Sequence, residues 1–401
     1  MKEIMKNGKL PDGWELKKLV DVCIVERGSS PRPIKKYLTE DEDGVNWIKI
    51  GDTKNIEKYI YKTRQKITKK GAEKSRFVEE GDFILSNSMS FGKPYILKIK
   101  GYIHDGWFKL KLHDFVDTDY FYQLLSSPYV NDQFHNLASG SVVKNISGDL
   151  VKKVTLPIPP LKEQQQIVAF LDKAFTAIDT AKANAQQNLL NAKQLFESYL
   201  QNVFENKGDD WEEKTLGEVC SLYQGLAINR KTKHYLVEKS NLPLLRIKDL
   251  KKNTAEQYVD ENNYPKNALV NKDDIIYTRT GSLGLVFRGR YGVLHNNSFK
   301  IIPDKSLSRD YLFIWLQNPL FKSKIFGLAF KAAQPDITHK IFKLQRIKIP
   351  PLKEQQQIVE KLNALQSQTK KLEAIYQQKI EDLEELKKSV LQKALNGELT
   401  N

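Results

Sequence analysis

The chain has 401 residues, of which 40% are hydrophobic and 28% charged, with 64 Lys and Arg against 49 Asp and Glu for a formal charge of +15. That length exceeds one ordinary core and fits two or three domains of roughly 100–200 residues each, and the composition excludes a disordered tail. No apolar run approaches the roughly 18 residues that span a bilayer, and MKEIMKNGKL lacks the apolar centre of a signal peptide, so the expectation is a cytoplasmic protein without a membrane partner.

The first recognisable segment is PDGWELK at 11–17, continuing as WELKKLVDVC at 14–23. It resembles the Asp…Glu-x-Lys metal site of many nucleases, but only Gly13 and Trp14 separate Asp12 from Glu15. Carboxylates that share a metal converge from different strands and need a longer separation. The counterpart DDWEEK at 209–214 keeps the Trp and loses the motif, so both read as opening segments with a packed Trp. Cys23 and Cys220 occupy matching places in WELKKLVDVC and WEEKTLGEVC. They are expected to be small buried residues, with neither a disulfide nor a zinc site between them.

ERGSSPRPIKK (26–36) reads as a basic loop, followed by strands at VNWIKI, DFILS, PYILKIKG and WFKLKL. Asp117 can cap a helix carrying FYQLL. Then comes IPPLKEQQQIV at 158–168, which recurs letter for letter at 349–359. Outward from that string the repeat covers nearly the whole chain. VEEGDFILSNSMSFG answers NKDDIIYTRTGSLG, YIHDGWFKL answers VLHNNSFKI, and YFYQLLSSPYV answers YLFIWLQNPLF. In the second copy YQGLAINRKTK (223–233) is the basic loop, LPLLRI, DIIYT and LGLVFRG read as strands, and Ser308 can cap the helix carrying LFIWL.

After each IPPLKEQQQIV string the spacing predicts a long helix. Ile167, Leu171, Ala174, Ile178, Ala181 and Ala185 follow steps of four and three, continuing through Leu189, Ala192, Phe196, Tyr199 and Val203. The second copy gives Ile358, Leu362, Leu365, Thr369, Leu372, Tyr376, Lys379, Leu383, Leu386 and Val390. Pro159-Pro160 and Pro350-Pro351 favour a helix start, and Glu163 and Glu354 fall in the first turn, where the helix dipole favours negative charge. A helix of about 45 residues is about 67 Å long. Two such seams bury each other most simply by antiparallel pairing within the chain, which places one domain at each end of a rod with a pseudo-twofold relation; parallel pairing between two chains is the competing arrangement. The Gln run is expected on a face that the seam leaves free. The identical strings either report recent duplication alone or also dock two copies of one partner through Lys162, Glu163, Gln164 and Gln165 and through Lys353, Glu354, Gln355 and Gln356.

The fold class is therefore α+β, with two mixed α/β domains at 1–158 and 207–349 and long helices at 159–206 and 350–401. The charge is unevenly spread. Residues 161–206 hold four Lys against five acidic residues and 352–401 hold eight against eight, leaving 52 basic and 36 acidic residues elsewhere. A surplus confined to the globular parts suits a polyanion, with nucleic acid first and an anionic membrane surface a distant second. Candidate contacts are Arg27, Ser29, Ser30 and Arg32 in the first basic loop and Arg230, Lys231 and Lys233 in the second. SNSMSFGK (86–93) adds Ser86, Asn87, Ser88, Ser90 and Lys93, and TRTGSLG (278–284) adds Thr278, Arg279, Thr280 and Ser282. Arg279 can pair with guanine, Asn87 with adenine, and the hydroxyls with phosphate or base edges. The glycines at 92, 281 and 284 would let the backbone come close, although turn chemistry alone also produces such loops.

No phosphate-binding Gly-Lys-Ser/Thr loop occurs, both Pro-Pro pairs lie between Ile and Leu, and the six His residues show no metal-ligand spacing. His104 and His295 fit structural roles best. The chain reads as a binder without catalytic residues, cofactor or metal of its own.

Together, the two WE-x-K-x-L-x-x-V-C-like openings, the two IPPLKEQQQIV strings, the two long helices and the terminal LNGEL resemble the specificity subunits of type I restriction-modification systems over essentially the whole chain. The resemblance implies two target recognition domains that each read half of a split double-stranded DNA site. It also implies an antiparallel helical spacer, two modification subunits that use S-adenosylmethionine to methylate adenine, and two restriction subunits that use ATP and magnesium. A coiled-coil scaffold whose basic domains touch nucleic acid loosely is the alternative. Asn-Ser-Met-Ser in one loop against Arg-Thr-Gly-Ser in the other argues against a common base-reading role.

Overall fold

The computed structural model describes residues 10–87, 92–138, 147–205, 208, 210–330 and 334–399. The chain forms two compact units, Met1–Asn184 with Lys379–Asn401, and Ala185–Gln378. The division falls inside both long helices.

In the first unit Glu15–Lys18 pairs antiparallel with Thr155–Ile158, joining the start of the globular domain to its end. One five-stranded sheet runs in the order Cys23–Arg27, Trp107–Leu112, Phe83–Ser86, Pro94–Leu97, Tyr59–Ile60. Side chains alternate between the faces of a strand, and here both faces are covered. Phe83, Leu85, Phe108 and Leu110 pack with Tyr120, Phe121 and Leu124 of the helix Thr118–Leu125, whereas Ile84 and Trp107 meet Ile48, Val78 and Ile103 from the second sheet. That sheet has the order Leu38–Thr39, Gln65–Ile67, Val45–Ile48, Gly101–Ile103, Arg76–Val78. PYILKIKG is thus two strands in different sheets. The chain leaves the first at Leu97 and joins the second at Gly101, where a Cβ would lie 2.8 Å from the Asn46 carbonyl oxygen.

The second unit repeats the plan with shorter strands. Glu212–Thr215 pairs with Arg346–Ile349. The main sheet runs Cys220–Gln224, Ser298–Pro303, Ile275–Thr278, Val286–Phe287. Ile275, Tyr277, Phe299 and Ile301 pack with Tyr311, Leu312 and Trp315, while Ile276 faces Leu245 and Leu294. LPLLRI shrinks to the strand Leu244–Leu245, because Asp249 accepts from both the backbone N–H and the guanidinium of Arg246 and so starts the helix Ile247–Lys252. LGLVFRG likewise keeps only Val286–Phe287. The stretches 26–36 and 223–233 begin as strand ends, since Cys23–Arg27 and Cys220–Gln224 pair along the buried strands Trp107–Leu112 and Ser298–Pro303.

Capping follows the sequence expectation. Asp117 accepts from the backbone N–H groups of Asp119 and Tyr120, and Ser308 from that of Tyr311. The long helices are Leu161–Glu205 and Leu352–Leu395. Pro160 and Pro351 stand just ahead of them, with carbonyls accepting from Glu163 and Gln164 and from Glu354 and Gln355.

Within the first unit, Lys387 reaches Asp179 at 2.8 Å and Lys182 reaches Glu384 at 2.6 Å. Rising numbers on one helix meet falling numbers on the other, so these segments pair antiparallel within one chain. In the second unit Leu200 and Phe204 cluster with Val359 and Leu362. The seam departs from strict heptads. Tyr199 is exposed while Leu200 and Phe204 are buried, and Leu372 and Leu386 are exposed while Ile380 and Lys387 are half-buried. A straight helix drifts by roughly 20° per heptad, enough to slide the seam by one position.

Each helix end closes a core. Ala394 and Leu395 join the core of the first unit. The terminal LNGEL stops the second long helix at Gly397 (φ 72°), with the Glu398 N–H donating to Lys393 O at 2.9 Å. A side chain at Gly397 would strike Pro11, with Cγ only 2.3 Å away.

Candidate nucleic-acid interface

The loops expected to read bases are hairpin turns built alike in the two domains. In the first, Ser86 N–H donates to Lys93 O, Gly92 N–H donates to Ser86 O at 2.9 Å, and Ser86 Oγ accepts from Lys93 N–H at 3.1 Å. In the second, Thr278 N–H donates to Leu285 O, Gly284 N–H donates to Thr278 O at 2.9 Å, and Thr278 Oγ1 accepts from Leu285 N–H at 2.8 Å. Ser86 and Thr278 are fully buried, so these hydroxyls hold the turns together. The glycines serve the same end. Gly92 and Gly284 have φ of 75° and 68°, and a Cβ there would meet Phe134 at 2.9 Å and Phe326 at 2.5 Å. At Gly281 an added Cβ would meet only Ile247 Cδ1, at an ordinary contact distance of 3.8 Å. Ser88 and Ser90 lie outside the described residues.

Two histidines shape the neighbouring turns, whose Gly106 and Asn297 carbonyls accept from the Asn87 and Arg279 N–H groups. Gly106 N–H donates to His104 Nδ1 at 2.7 Å, and Asn297 N–H donates to His295 Nδ1 at 3.4 Å. Burial holds both imidazoles below the usual histidine range, and Arg246 adds to the effect at His295. Their carbonyls press on Gly28 and Gly225, where an added Cβ would come within 2.1 Å and 2.3 Å of the oxygens. Only glycine allows the basic loops to pass so close.

In the first domain the candidate residues converge on Asp105. Ser30 Oγ donates to Oδ1 at 2.7 Å, Arg32 Nη2 to Oδ2 at 3.0 Å, and Asn87 Nδ2 to the Asp105 carbonyl at 2.8 Å. Burial raises the Asp105 carboxyl, but the Ser30 and backbone hydrogen bonds, His104 and Arg32 outweigh it and leave the group below its ordinary range. Asn87 is buried, so it ties the turn to Asp105. Ser29 Oγ donates to Lys74 O at 3.1 Å. Arg27, Arg32 and Lys93 are exposed, with Lys93 Nζ donating to Ile56 O at 3.1 Å.

The second domain places different chemistry on the same frame. Arg279 grips Asp336 through Nε at 2.9 Å and through Nη2. Thr280 is half-buried, and Ser282 Oγ accepts from Lys251 Nζ at 2.8 Å. Arg230, Lys231 and Lys233 are exposed on a turn closed by Thr232 Oγ1 donating to Ala227 O, and their side-chain cations take no ion pair among the described residues. Asp336 and Lys251 carried no sequence motif. Asp336 did leave a signal, as the sole acidic residue between Asp310 and Glu354 in a stretch rich in Lys.

The repeated junction departs most from expectation. Gln164 is buried, donating to Phe115 O and Pro159 O and accepting from Asp117 N–H at 2.7 Å. Gln355 is buried as well, donating to Ser306 O and Pro350 O and accepting from Ser308 N–H at 2.7 Å. Glu163 and Glu354 accept from the indoles of Trp14 and Trp211, each at 3.0 Å. Of the eight candidate contacts, Lys162, Gln165, Lys353 and Gln356 are exposed, beside the exposed Gln166 and Gln357 and the exposed Leu161 and Leu352. The reason is geometric. Residues 163 and 164 sit in the turn that faces the domain the helix has just left, so their polar ends complete its backbone hydrogen bonding.

Among the described residues no group of three or more His, Cys, Asp or Glu could hold a metal ion, and no helix is long and apolar enough to cross a membrane.

The family model described as "Type I restriction modification DNA specificity domain" matches residues 11–191 and again 208–382. The type I restriction enzyme MjaIX specificity subunit of Methanocaldococcus jannaschii is 26% identical over 299 residues, covering 68% of each chain. The EcoKI specificity subunit of Escherichia coli K12 is 24% identical over 436 residues, covering 99% of this chain and 91% of its own. The crystal structure of the HsdS subunit from Thermoanaerobacter tengcongensis has the same fold, with a TM-score of 0.70 at 20% identity and complete coverage of both chains.

Proposed function

Because the chain belongs to the type I restriction-modification DNA specificity family, we propose that each of its two domains reads one half of an asymmetric, bipartite double-stranded DNA site. The chain is non-catalytic in this reading. It brings two modification subunits to adenines within the site and serves two restriction subunits that translocate and cut. S-adenosylmethionine, ATP and magnesium belong to those partners, and the complex works in the cytoplasm.

The observation that carries the reading is one frame written twice with different polar groups on it. Gly28 and Gly225, His104 and His295, and Ser86 and Thr278 repeat the internal supports. The groups held at the same places differ, with Asp105 in one domain where Asn296 stands in the other, and with the partly exposed Arg279 in the second domain where the first has the buried Asn87. Donors and acceptors placed alike but chemically different favour different base edges. Arg27, Arg32, Lys93, Arg230, Lys231 and Lys233 are exposed cations suited to flanking phosphates, which position a protein without specifying sequence. Lys162, Gln165, Lys353 and Gln356 present the same exposed pattern twice, which suits two copies of one partner. Mapping adenine methylation in cells with and without the gene tests the proposal. A split motif whose methylation disappears with the gene supports it, and an unchanged map refutes it.

A further inference from the structure

We infer that Asp336 is a positioning residue that makes Arg279 an end-on guanine reader, an inference that rests on the DNA-reading role proposed above. Arg279 directly follows the strand Ile275–Thr278, and its backbone is tied on two sides. Its N–H donates to Asn297 O at 2.9 Å, and its carbonyl accepts from Ile337 N–H at 3.0 Å. The side chain is fixed as firmly. Nε donates to Asp336 Oδ1 at 2.9 Å and Nη2 donates to Oδ2.

A guanidinium offers two edges for planar, two-point recognition, Nε with Nη2 and Nη1 with Nη2. The carboxylate fills the first. Nothing among the described residues bonds to Nη1, and the side chain remains 23% exposed, so the second edge is not sealed in the core. Guanine presents two acceptors, O6 and N7, side by side in the major groove, whereas adenine presents one acceptor and one donor. An arginine steered by Asp336 onto its Nη1/Nη2 edge matches the first pattern and refuses the second. Without the carboxylate the long side chain would swing among rotamers, and the preference would blur.

The two domains change this pair together. In sequence, Asn87 corresponds to Arg279, and Asn145, which lies outside the described residues, corresponds to Asp336, each of the latter two falling two positions ahead of a helix cap, Ser147 and Thr338. The cation and its carboxylate are present together in one domain and absent together from the other.

The test selects binders from a random-sequence duplex pool with the purified full-length chain and sequences the bound fraction for wild type, Arg279→Ala, Asp336→Ala and Asp336→Asn. Arg279→Ala and Asp336→Ala should each weaken the guanine preference at the same single position, by roughly 5- to 150-fold. Asp336→Asn keeps one acceptor and should lose less. The half-site read by the first domain should stay unchanged in all variants, and the other positions of the second half-site should keep their preferences, which reports that the second domain is folded. An Asp336→Ala chain that keeps its guanine preference, or binds more tightly because the carboxylate had been blocking Arg279, overturns the inference while DNA reading stands. A loss spread evenly over all positions in Arg279→Ala assigns the guanidinium to phosphate and overturns it too. If the wild-type chain enriches no motif, the proposed function fails and this inference fails with it.

Discussion

The indole N–H of Trp14 donates to Glu163 at 3.0 Å across 149 residues of sequence, and Trp211 does the same to Glu354 at 3.0 Å across 143. The contact gives the repeated IPPLKEQQQIV string a structural cause. Each copy is the socket into which the start of its own domain closes, and the buried glutamine beside the glutamate seals the end. Selection on folding alone would keep Glu163, Gln164 and their counterparts. The exposed Lys162, Gln165 and Gln166 are polar members of the string that folding leaves unexplained.

Gln164→Ala and Gln355→Ala should each destabilise the protein strongly. Each substitution strands a buried backbone N–H and two carbonyls, at about 1–3 kcal/mol for each unsatisfied group. Gln165→Ala and Gln356→Ala are surface changes and should stay within about 0.5 kcal/mol. Urea unfolding of the four variants separates the two classes. If the exposed pair docks the modification subunits, Gln165→Ala with Gln356→Ala should lower methylation in cells without lowering stability.

Glu163→Ala should cost about 1.5–3 kcal/mol, the range for a hydrogen bond to a charged group. Glu163→Gln keeps an acceptor for the Trp14 indole and should recover part of the loss. Equal unfolding midpoints for all three proteins would mean that the indole contact contributes nothing.

Both cysteines should be inert in the folded protein. Burial pushes the Cys23 and Cys220 thiols up to about 12, and the thiolate is the reactive form. Iodoacetamide at about pH 8 should label neither in the native state and both in denaturant. Rapid native labelling of either one would contradict its burial.

Stability should fall on mild acidification. Burial is the chief reason that His339 titrates below 6.5, with the nearby Arg279 and Lys343 charges adding to it, and burial is likewise the chief reason for His104 and His295. Between 6.5 and those lower folded values the unfolded chain binds more protons, so the histidine contribution is full above 6.5 and is lost as the pH falls below it. Urea midpoints should therefore drop between about pH 7.5 and about pH 5.5. His104→Asn with His295→Asn should flatten that slope, and an unchanged slope would mean that these imidazoles do not titrate as placed.

The sequence revealed long-range order better than local detail. Duplication, helix caps at Asp117 and Ser308, and the two long helices were visible because each rests on spacing or on a local hydrogen bond. Strand limits were less visible. PYILKIKG is unbroken in sequence, yet it leaves one sheet at Leu97 and joins the other at Gly101, where Asn46 leaves no room for a side chain. Of the candidate contacts, Ser86, Asn87 and Thr278 turned inward because a hairpin must satisfy its own backbone before it can offer anything outward. Asp336 could not be assigned to Arg279 from the sequence, since 57 residues separate them.

The central claim is that two independent readers share one chain, and the most direct measurement is an adenine-methylation map after residues 1–157 are replaced by the corresponding domain of a relative. The account predicts that one half of the split motif changes while the other half stays as it was. A change in both halves, or in neither, would contradict it.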